Sequence, residues 1–565
     1  MIICDNDGES IYKSWRENGE RKEEIVAFKP YFYFKKNSEN RPQSYSHYKT
    51  TYDFEYDDST LSKNLEGEDL IRVFYQNSKH LKSIKDAKFF PKTYEADVTF
   101  HHRYCVDALS ELVEYDMRKW YWDMEWQFYD GEEVITTIVA YDNYSKEYYQ
   151  WVWFPTKDKA KEILSSFDYS ANQYIFGTER AMLRNFVKVL QRDNPDMLIA
   201  WFGLKFDLPK LIQRLIVNDL NPNDLSPLGK VRGVTSEGQW MTDRKKNPKD
   251  LYKEGGYTPI SQPISGRITL NLDLAFERQW NDSQRGTLPS LSLDYVSELV
   301  LGHKKLVTQK FDNMDEFYKR AWLEETELYL EYAYVDVKLL VELDEKNFTS
   351  EAIVALQRLL IAPFDACFYA SHMGSIYFMR NAYWKAPTGN KNIDREDYEG
   401  AMIYNPLDEG TNGLHLGVAA FDYAGLYPSM MIARNISWET KSVKPTEFGV
   451  DILIPRNLKP LSDNHQSHML YYKTDELGLL PKAVLELKEL RNDYKAKMKH
   501  ARENNTGEYQ KWYNNQMAVK RLMASFYGIV AYQGFGWADV DLAASITASA
   551  REAIREAAFV ARGIE

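Results

Sequence analysis

Over the first 110 residues the apolar positions fall in short runs with a period of two, as in VAFKPYFYFKK (26–36) and DLIRVFYQ (69–76). Alternation of this kind, rich in Tyr, Phe and Val, predicts strands. From Trp120 onward, strand-like runs (120–126, 134–142, 148–154, 197–203) alternate with helical spacing over 179–191 and 208–218. That alternation predicts an α/β region reaching about residue 345. Helical periodicity continues over 322–345 and 350–384, and YWKAPTGNKN (383–392) supplies breakers. Strands are expected at 401–404 and 415–421. Three helices follow at 481–503, 508–526 and 540–562, the first opened by Pro481 and carrying Leu487, Leu490 and Tyr494 on one face. The pattern predicts an α/β multidomain chain. It comprises a small sheet domain over 1–110, an α/β domain reaching about residue 345, and, beyond the breakers, a region of mixed strands and loops followed by the three helices.

Composition narrows the class. The 565 residues are 44% hydrophobic and 27% charged, a globular balance, with net charge −12. Three cysteines, Cys4, Cys105 and Cys367, show no metal spacing and no disulfide framework. The acidic start MIICDNDGES does not read as a secretory signal, and no apolar run approaches the ~18 residues of a membrane span. An intracellular location, in the cytoplasm of a prokaryotic or virus-infected cell, is expected. Net negative charge argues only weakly against nucleic acid, because phosphates are met by local patches. Residues 243–253 and 482–503 are the basic stretches, and each reads equally well as a solvated face. Aromatics make up 14%, including 40 Tyr, which suits sheet packing or base stacking.

Carboxylates then set the chemistry. In WYWDMEWQ, Asp123 and Glu125 are two apart on a strand and so share a face. Two carboxylates on so apolar a strand are costly unless a cation neutralises them. Asp207 follows a strand and opens a helix, and Tyr332 and Asp336 lie four apart on another helix. Each pattern alone is common. Together, four carboxylates can hold two hard divalent cations, which suit in-line phosphodiester cleavage, with Tyr332 placed to orient a water. A fifth carboxylate, Asp422, closes a short apolar run and a tight turn follows in AAFDYAGLYPSMM (419–431). Arg491 and Lys495 share one helix face, and Lys520, Ala524 and Tyr527 line another. Three converging cations would grip a triphosphate, although ordinary surface helices carry the same residues.

The order of these segments resembles family B DNA polymerases. WYWDMEWQ, WFGLKFD and YLEYAYVD resemble the family's three exonuclease motifs. TYEADVTFHHRYCVD (93–107) and TLPSLSLDYVSELVLG (287–302) resemble its flanking segments. FDYAGLYPS (421–429) resembles motif A and QMAVKRLMASFYG (516–528) motif B. LLPKAVLELKELRNDYK (479–495) resembles the companion triphosphate-binding helix, and YEGAMIYNP (398–406) the template-contact segment. Four positions depart from the family pattern: Phe202 and Ala524 stand where it has Asn, Gly425 where it has Ser, and Ala401 where it has Gly.

The resemblance implies a mixed β N-terminal domain over 1–110 with a return segment about 346–390, a ribonuclease H-like 3′→5′ exonuclease domain over 111–345, an incomplete α+β palm over 391–478 and 531–565, and helical fingers over 479–530. It implies that Asp123, Glu125, Asp207, Tyr332 and Asp336 serve the exonuclease, the four carboxylates as metal ligands. It implies that Asp422 holds the polymerase metals, and that Tyr423, Gly425, Leu426, Tyr427, Arg491, Lys495, Lys520, Ala524 and Tyr527 meet the nucleotide. Backbone N–H groups from Tyr423 to Leu426 would cradle the triphosphate, and Tyr427 would exclude a ribose 2′-OH. Tyr398, Gly400 and Gly528 would contact DNA. The implied cofactor is Mg²⁺, two per site, with Mn²⁺ as a substitute. The implied partners are primed template DNA and dNTPs.

The family's motif C and thumb have no counterpart in this sequence. The one D-x-D within residues 529–565, Asp539–Asp541, reads as the capped start of a helix. The expectation is the large chain of a split, phage-type polymerase. A complementary smaller chain would supply motif C and the thumb, and a sliding clamp would be reached through that chain. A splicing precursor and a shortened chain are the other readings. A stand-alone exonuclease with a relict palm and a non-catalytic DNA-binding scaffold are the competing functions.

Overall fold

The computed structural model describes residues 3–47, 50–80, 90, 92–112, 114–156, 171–239, 262–282, 286–306, 311, 313–389, 397–402, 414, 416–418, 422–452 and 468–561. The basic stretch 243–253 and most of the expected strands at 401–404 and 415–421 lie outside these residues. The chain divides into two compact units. One comprises Met1–Val26, Glu111–Arg358 and Pro363–Asp365; the other comprises Ala27–Ser110, Leu359–Ala362 and Ala366–Glu565.

The first unit opens with a three-stranded sheet, β1 (Ile3–Asn6), β2 (Ser10–Glu17) and β3 (Glu20–Ala27). Its main sheet holds β4 (Lys119–Tyr129), β5 (Glu132–Asp142), β6 (Glu147–Trp153), β7 (Asn172–Phe176), β8 (Met197–Ala200) and β9 (Ile268–Asn271), in the order β7-β6-β5-β4-β8-β9. Strand β5 runs antiparallel to β4 and β6, whereas β8 runs parallel to β4 and β9. Buried Asp196, just before β8, ties the small sheet to the large one. It accepts from Arg16 Nε (2.5 Å) and from the Arg118 backbone N–H (2.9 Å). Leaving either charge unpaired there would be expensive.

The helices of this unit are α1 (Glu179–Asp193), α2 (Asp207–Val217), α3 (Leu272–Asp282), α4 (Leu293–Leu301), α5 (Met314–Glu324), α6 (Thr326–Asn347) and α7 (Thr349–Leu360). The alternation along β4 decides what lies where. Trp120 and Trp122 turn to α1 and pack near Phe186, with ring centroids 6.4 Å away in both cases. Tyr121 turns the other way and donates to Asp344 Oδ2 of α6 at 2.6 Å. Asp123 and Glu125 have the parity of Tyr121, so both carboxylates face α6.

Two expected helices differ. The stretch 350–384 is not continuous: α7 stops at Leu360, a short turn covers Phe364–Phe368, and α8 runs over Ala370–Asn381. Pro363 cannot extend the helix, and Ile361 ahead of it adopts φ +51°. The stretch 322–345 is divided at Glu325, between α5 and α6.

In the second unit, strands Glu55–Lys63, Asp69–Phe74, Tyr31–Lys35 and Thr93–Tyr94 form a four-stranded sheet in that order. Helices α9 (Leu426–Ala433), α10 (Leu479–Glu503), α11 (Tyr509–Ala531) and α12 (Val540–Ala561) follow α8. A small sheet of Lys441–Ser442, His468–Tyr472 and Phe448–Ile452 joins α12 where Tyr472 donates to Ser545 Oγ at 2.8 Å. No helix among the described residues is long and apolar enough to cross a membrane.

The turn from β8 into α2 has no room to spare. A Cβ on Gly203 would meet Ala200 Cβ at 2.5 Å. Gly203→Ala should therefore lower the stability of this unit by about 1–3 kcal/mol, read as a lower denaturant midpoint with the slope unchanged.

Candidate active sites

Three carboxylates converge in the first unit. Ligand oxygens of Asp123 and Glu125 on β4 and Asp336 on α6 all lie within 4.8 Å of one another. Asp336 is 1% exposed. Asp207, the first residue of α2, stands close enough to Asp123 for their carboxyl groups to share a hydrogen bond. Tyr332, one helical turn before Asp336, shares a 2.9 Å hydrogen bond with Tyr318 of α5. All five exonuclease-type residues expected from the sequence thus meet in one place.

Lys305, which sequence reasoning missed, completes the cluster. Its ammonium donates to Asp336 Oδ2 at 2.6 Å and to the Tyr332 hydroxyl at 3.1 Å. It sits in HKKL just past Gly302, the C-cap of α4, where a lysine looks like any loop lysine. No spacing rule would have singled it out.

Burial and crowding set the protonation of the group. Burial, then the Asp336 charge, pushes Asp123 up to about 7. Glu125 stands well above the usual carboxylate range through burial and the charges of Asp123 and Asp336. Asp207 is raised by burial and by Asp123 and Glu125. Burial also raises Asp336, with Lys305 opposing it. Burial works against the Lys305 ammonium, but Asp336 and Asp123 outweigh it and hold it charged. Tyr332 is raised by burial, then by Asp336 and Glu125, so it stays a neutral phenol.

One lysine does not balance four carboxyl groups. Asp336 Oδ1 is buried and has no hydrogen-bond partner. Oxygen-only donors, mutual repulsion and this orphaned acceptor fit a hard divalent cation. Asp123, Glu125 and Asp336 would hold it, with Asp207 beside them.

The second unit gathers the other expected residues differently. Asp422 through Gly425 are exposed, with 419–421 outside the described residues, so no buried strand end is seen at Asp422. Gly425 adopts φ +74° as the N-cap of α9, a conformation that suits glycine better than serine. The Tyr427 ring lies 4.6 Å from Tyr527 of α11, whose hydroxyl is 3.0 Å from that of Tyr398. Tyr423 donates to the Ala553 carbonyl of α12 at 3.0 Å. Helices α10 and α11 form a hairpin in which Arg491 Nε donates to Gln516 at 3.2 Å. The Lys495 ammonium is disfavoured first by Arg491, then by burial and by Lys520. Ala524 and Gly528 are exposed on the same helix as Lys520, and no atom lies within 4 Å of a Cβ built on Gly528 or Gly400.

Two further residues went unread in the sequence. Arg551 of α12 donates to the backbone carbonyls of Glu399 (2.8 Å) and Gly400 (2.6 Å), and Thr547 to that of Glu399 (2.8 Å). They anchor the segment that carries Tyr398. Asp539 and Asp541 are engaged by Lys441 at 2.8 Å and 2.9 Å, and Asp539 also accepts from the Leu542 N–H at the start of α12.

The described residues thus hold a buried carboxylate cluster beside a sheet in one unit and a helical hairpin carrying Arg491, Lys495 and Lys520 in the other. Residues 370–563 match the sequence profile of DNA polymerase family B, and residues 129–258 match the exonuclease domain of the same family. Together the matches span more than half of the chain, which belongs to DNA polymerase family B. It is 25% identical over 518 residues to the DNA polymerase of Pyrococcus glycovorans, covering 87% of this chain and 58% of that protein. It is 26% identical over 479 residues to DNA polymerase 1 of Pyrococcus abyssi, covering 82% and 54%. It is 26% identical over 481 residues to the DNA polymerase of Desulfurococcus sp. (strain Tok), covering 82% and 53%. The chain thus spans a little over half the length of these relatives.

Crowding without a cation has a pH signature. Asp123 binds its proton more tightly folded, at about 7, than unfolded, at roughly 3.9. Its contribution to stability is therefore full below the unfolded value and is lost as pH rises towards the folded one. In EDTA, Asp123→Asn should gain on the parent as pH goes from about 5 to about 8. Mn²⁺ should raise the parent's melting temperature more at the upper pH. Thermal unfolding at both pH values checks this; an unchanged difference between the two proteins contradicts it.

Proposed function

We propose that this chain is the large part of a DNA-directed DNA polymerase with a 3′→5′ proofreading exonuclease. The observation that carries it is the cluster of Asp123, Glu125 and Asp336, with Asp207 and Lys305 against it. The sheet order β6-β5-β4-β8-β9, with β5 alone antiparallel to β4, supports a ribonuclease H-like exonuclease domain. A divalent ion held there, Mg²⁺ or Mn²⁺, supplies Lewis-acid stabilisation of charge on the phosphate and its leaving oxygen. The chain's own groups do the rest. Tyr332, a neutral phenol fixed by Lys305 and Tyr318, orients the attacking water rather than deprotonating it. The Lys305 ammonium offsets negative charge that grows at the phosphate. The substrate is a single-stranded DNA 3′ end.

In the second unit, Asp422 is the polymerase metal ligand in this reading. Arg491, Lys495 and Lys520 take the triphosphate of a dNTP, and Tyr427, braced on Tyr527, guards the sugar. Tyr398, Gly400 and Gly528 meet the primed template. Among the described residues Asp422 belongs to no three-ligand group, and Asp539 and Asp541 are engaged by Lys441. We therefore propose that a second carboxylate and the thumb come from polypeptide outside these residues. A complementary smaller chain, through which a sliding clamp would also be engaged, is the reading followed here. The exposed apolar side chains Leu414, Leu416 and Val418, shortly before Asp422, support a covered face there. The enzyme would be of phage type, and the short stretch between Asp422 and the finger helices favours priming by a nucleic-acid 3′ end. The location would be intracellular.

Two substitutions separate the sites. On a 5′-labelled single strand with Mg²⁺, Asp123→Ala should slow shortening from the 3′ end by about 10²–10³-fold or more, whereas Asp422→Ala should leave it unchanged. On a primed template with the completing polypeptide supplied, Asp422→Ala should abolish extension and Asp123→Ala should not. Extension that survives Asp422→Ala would refute the polymerase assignment. Digestion that survives Asp123→Ala would refute the exonuclease one.

A further inference from the structure

Helix α1 carries a row of cations that none of the chemistry above uses. Arg180, Arg184, Lys188 and Arg192 are exposed and lie four residues apart. They follow one side of the helix in steps of about 6 Å over about 18 Å. The other side, with Met182, Leu183, Phe186 and Leu190, is buried in the core of the sheet domain. Trp120 and Trp122 of β4 turn to α1, whereas Asp123 and Glu125 turn to α6. The row therefore lies across the sheet from the carboxylate cluster.

The row is costly to the helix. Its like-charged neighbours at i,i+4 repel, and Arg180 in the first turn opposes the helix dipole. The two acids of α1 do little to offset this. Glu179 is buried against Arg214 (2.5 Å), and Asp193, which also faces Arg118, answers only Arg192 of the row (2.8 Å). Arg180 donates through Nε to the Asn218 carbonyl at 2.8 Å. The side chains of Arg184 and Lys188 enter no hydrogen bond or ion pair among the described residues. Other exposed helix faces of the unit set opposite charges at this spacing: Arg320 of α5 pairs with Glu316 and Glu324, and Lys338 of α6 faces Glu342. In a chain of net charge −12, an unanswered row of cations on a rigid helix has a polyanion as its complement.

We propose that the outer face of α1 is a track for the sugar–phosphate backbone of single-stranded DNA, separate from the carboxylate cluster. The row is one cation wide, which suits a single file of phosphates rather than the two strands of a duplex. Arg184 and Lys188 make the central contacts. The helix presents no exposed aromatic ring on which a base could stack, so contact is to the backbone and blind to sequence. Such a track retains a strand on the protein without occupying the carboxylates.

The test uses the full chain and a labelled thymidine oligonucleotide, followed by fluorescence anisotropy across a salt series in EDTA. Arg184→Gln/Lys188→Gln should lower the slope of log affinity against log salt by about 1.4, two phosphate contacts at roughly 0.7 each on a single strand. Either substitution alone should give half that fall, and Arg184→Lys/Lys188→Arg should keep the parent's slope. The Arg184→Gln/Lys188→Gln protein should melt at or above the parent's temperature, because repulsion along the helix is relieved; that separates lost contact from misfolding. Arg320→Gln/Lys338→Gln removes two cations that already face acids and should leave the slope unchanged. A parent-like slope in Arg184→Gln/Lys188→Gln would overturn the proposal, even if a duplex or poly-glutamate proved sensitive to the pair. An equal fall in Arg320→Gln/Lys338→Gln would also overturn it, since net charge rather than the row would be responsible. Because binding is read in EDTA, the result does not depend on whether the carboxylate cluster digests DNA.

Discussion

Crowded negative charge in a poorly hydrated place is the constraint on which the first unit is built. Asp123, Glu125 and Asp336 bring their oxygens within 4.8 Å of one another, and a single lysine answers them. Such an arrangement is unfavourable by itself, as the raised proton affinity of Asp123, Glu125 and Asp207 records. It persists because the surroundings over-determine it. The aromatic face of β4 is locked against α1, which leaves its two carboxylates no direction but towards α6. Helix α6 is held to the sheet by Tyr121 and Asp344, and the start of α2 is set by the tight turn at Gly203. Folding energy from aromatic packing is thus used to hold a site that becomes favourable once a cation enters.

The second unit follows the opposite rule. Its cations lie on an open helical hairpin, and Asp422 is exposed. Such a surface is stable in water without a ligand. The aromatic and backbone contacts behind it, Tyr427 on Tyr527, Tyr527 to Tyr398, and Arg551 to the carbonyls of Glu399 and Gly400, fix the floor of the site. One chain therefore holds a buried, preorganised carboxylate cluster and an open, cationic helical hairpin.

Much of this was legible in the sequence where local periodicity decides geometry. D-x-E on a strand and Y-x-x-x-D on a helix put side chains on one face whatever the fold, and the segments came together as expected. The helices at 481–503 and 540–562 are found as Leu479–Glu503 and Val540–Ala561. What stayed hidden depends on tertiary closure. Lys305 acquires its role only because α4 ends beside α6, and Arg551 because α12 passes under residues 399 and 400. The break near Pro363 was overridden by strong helical periodicity on either side. Phe202 was read only as a missing asparagine; its φ of +55° is a conformation that asparagine enters more easily than phenylalanine.

The central claim is that the Asp123–Glu125–Asp336 cluster exists to hold a divalent cation. Anomalous diffraction from crystals equilibrated with Mn²⁺ tests it most directly. The account predicts a peak within bonding distance of carboxylate oxygens of Asp123, Glu125 and Asp336, absent from Asp123→Asn crystals. A cluster that excludes the ion, with Lys305 remaining its sole counter-charge at saturating Mn²⁺, would contradict it.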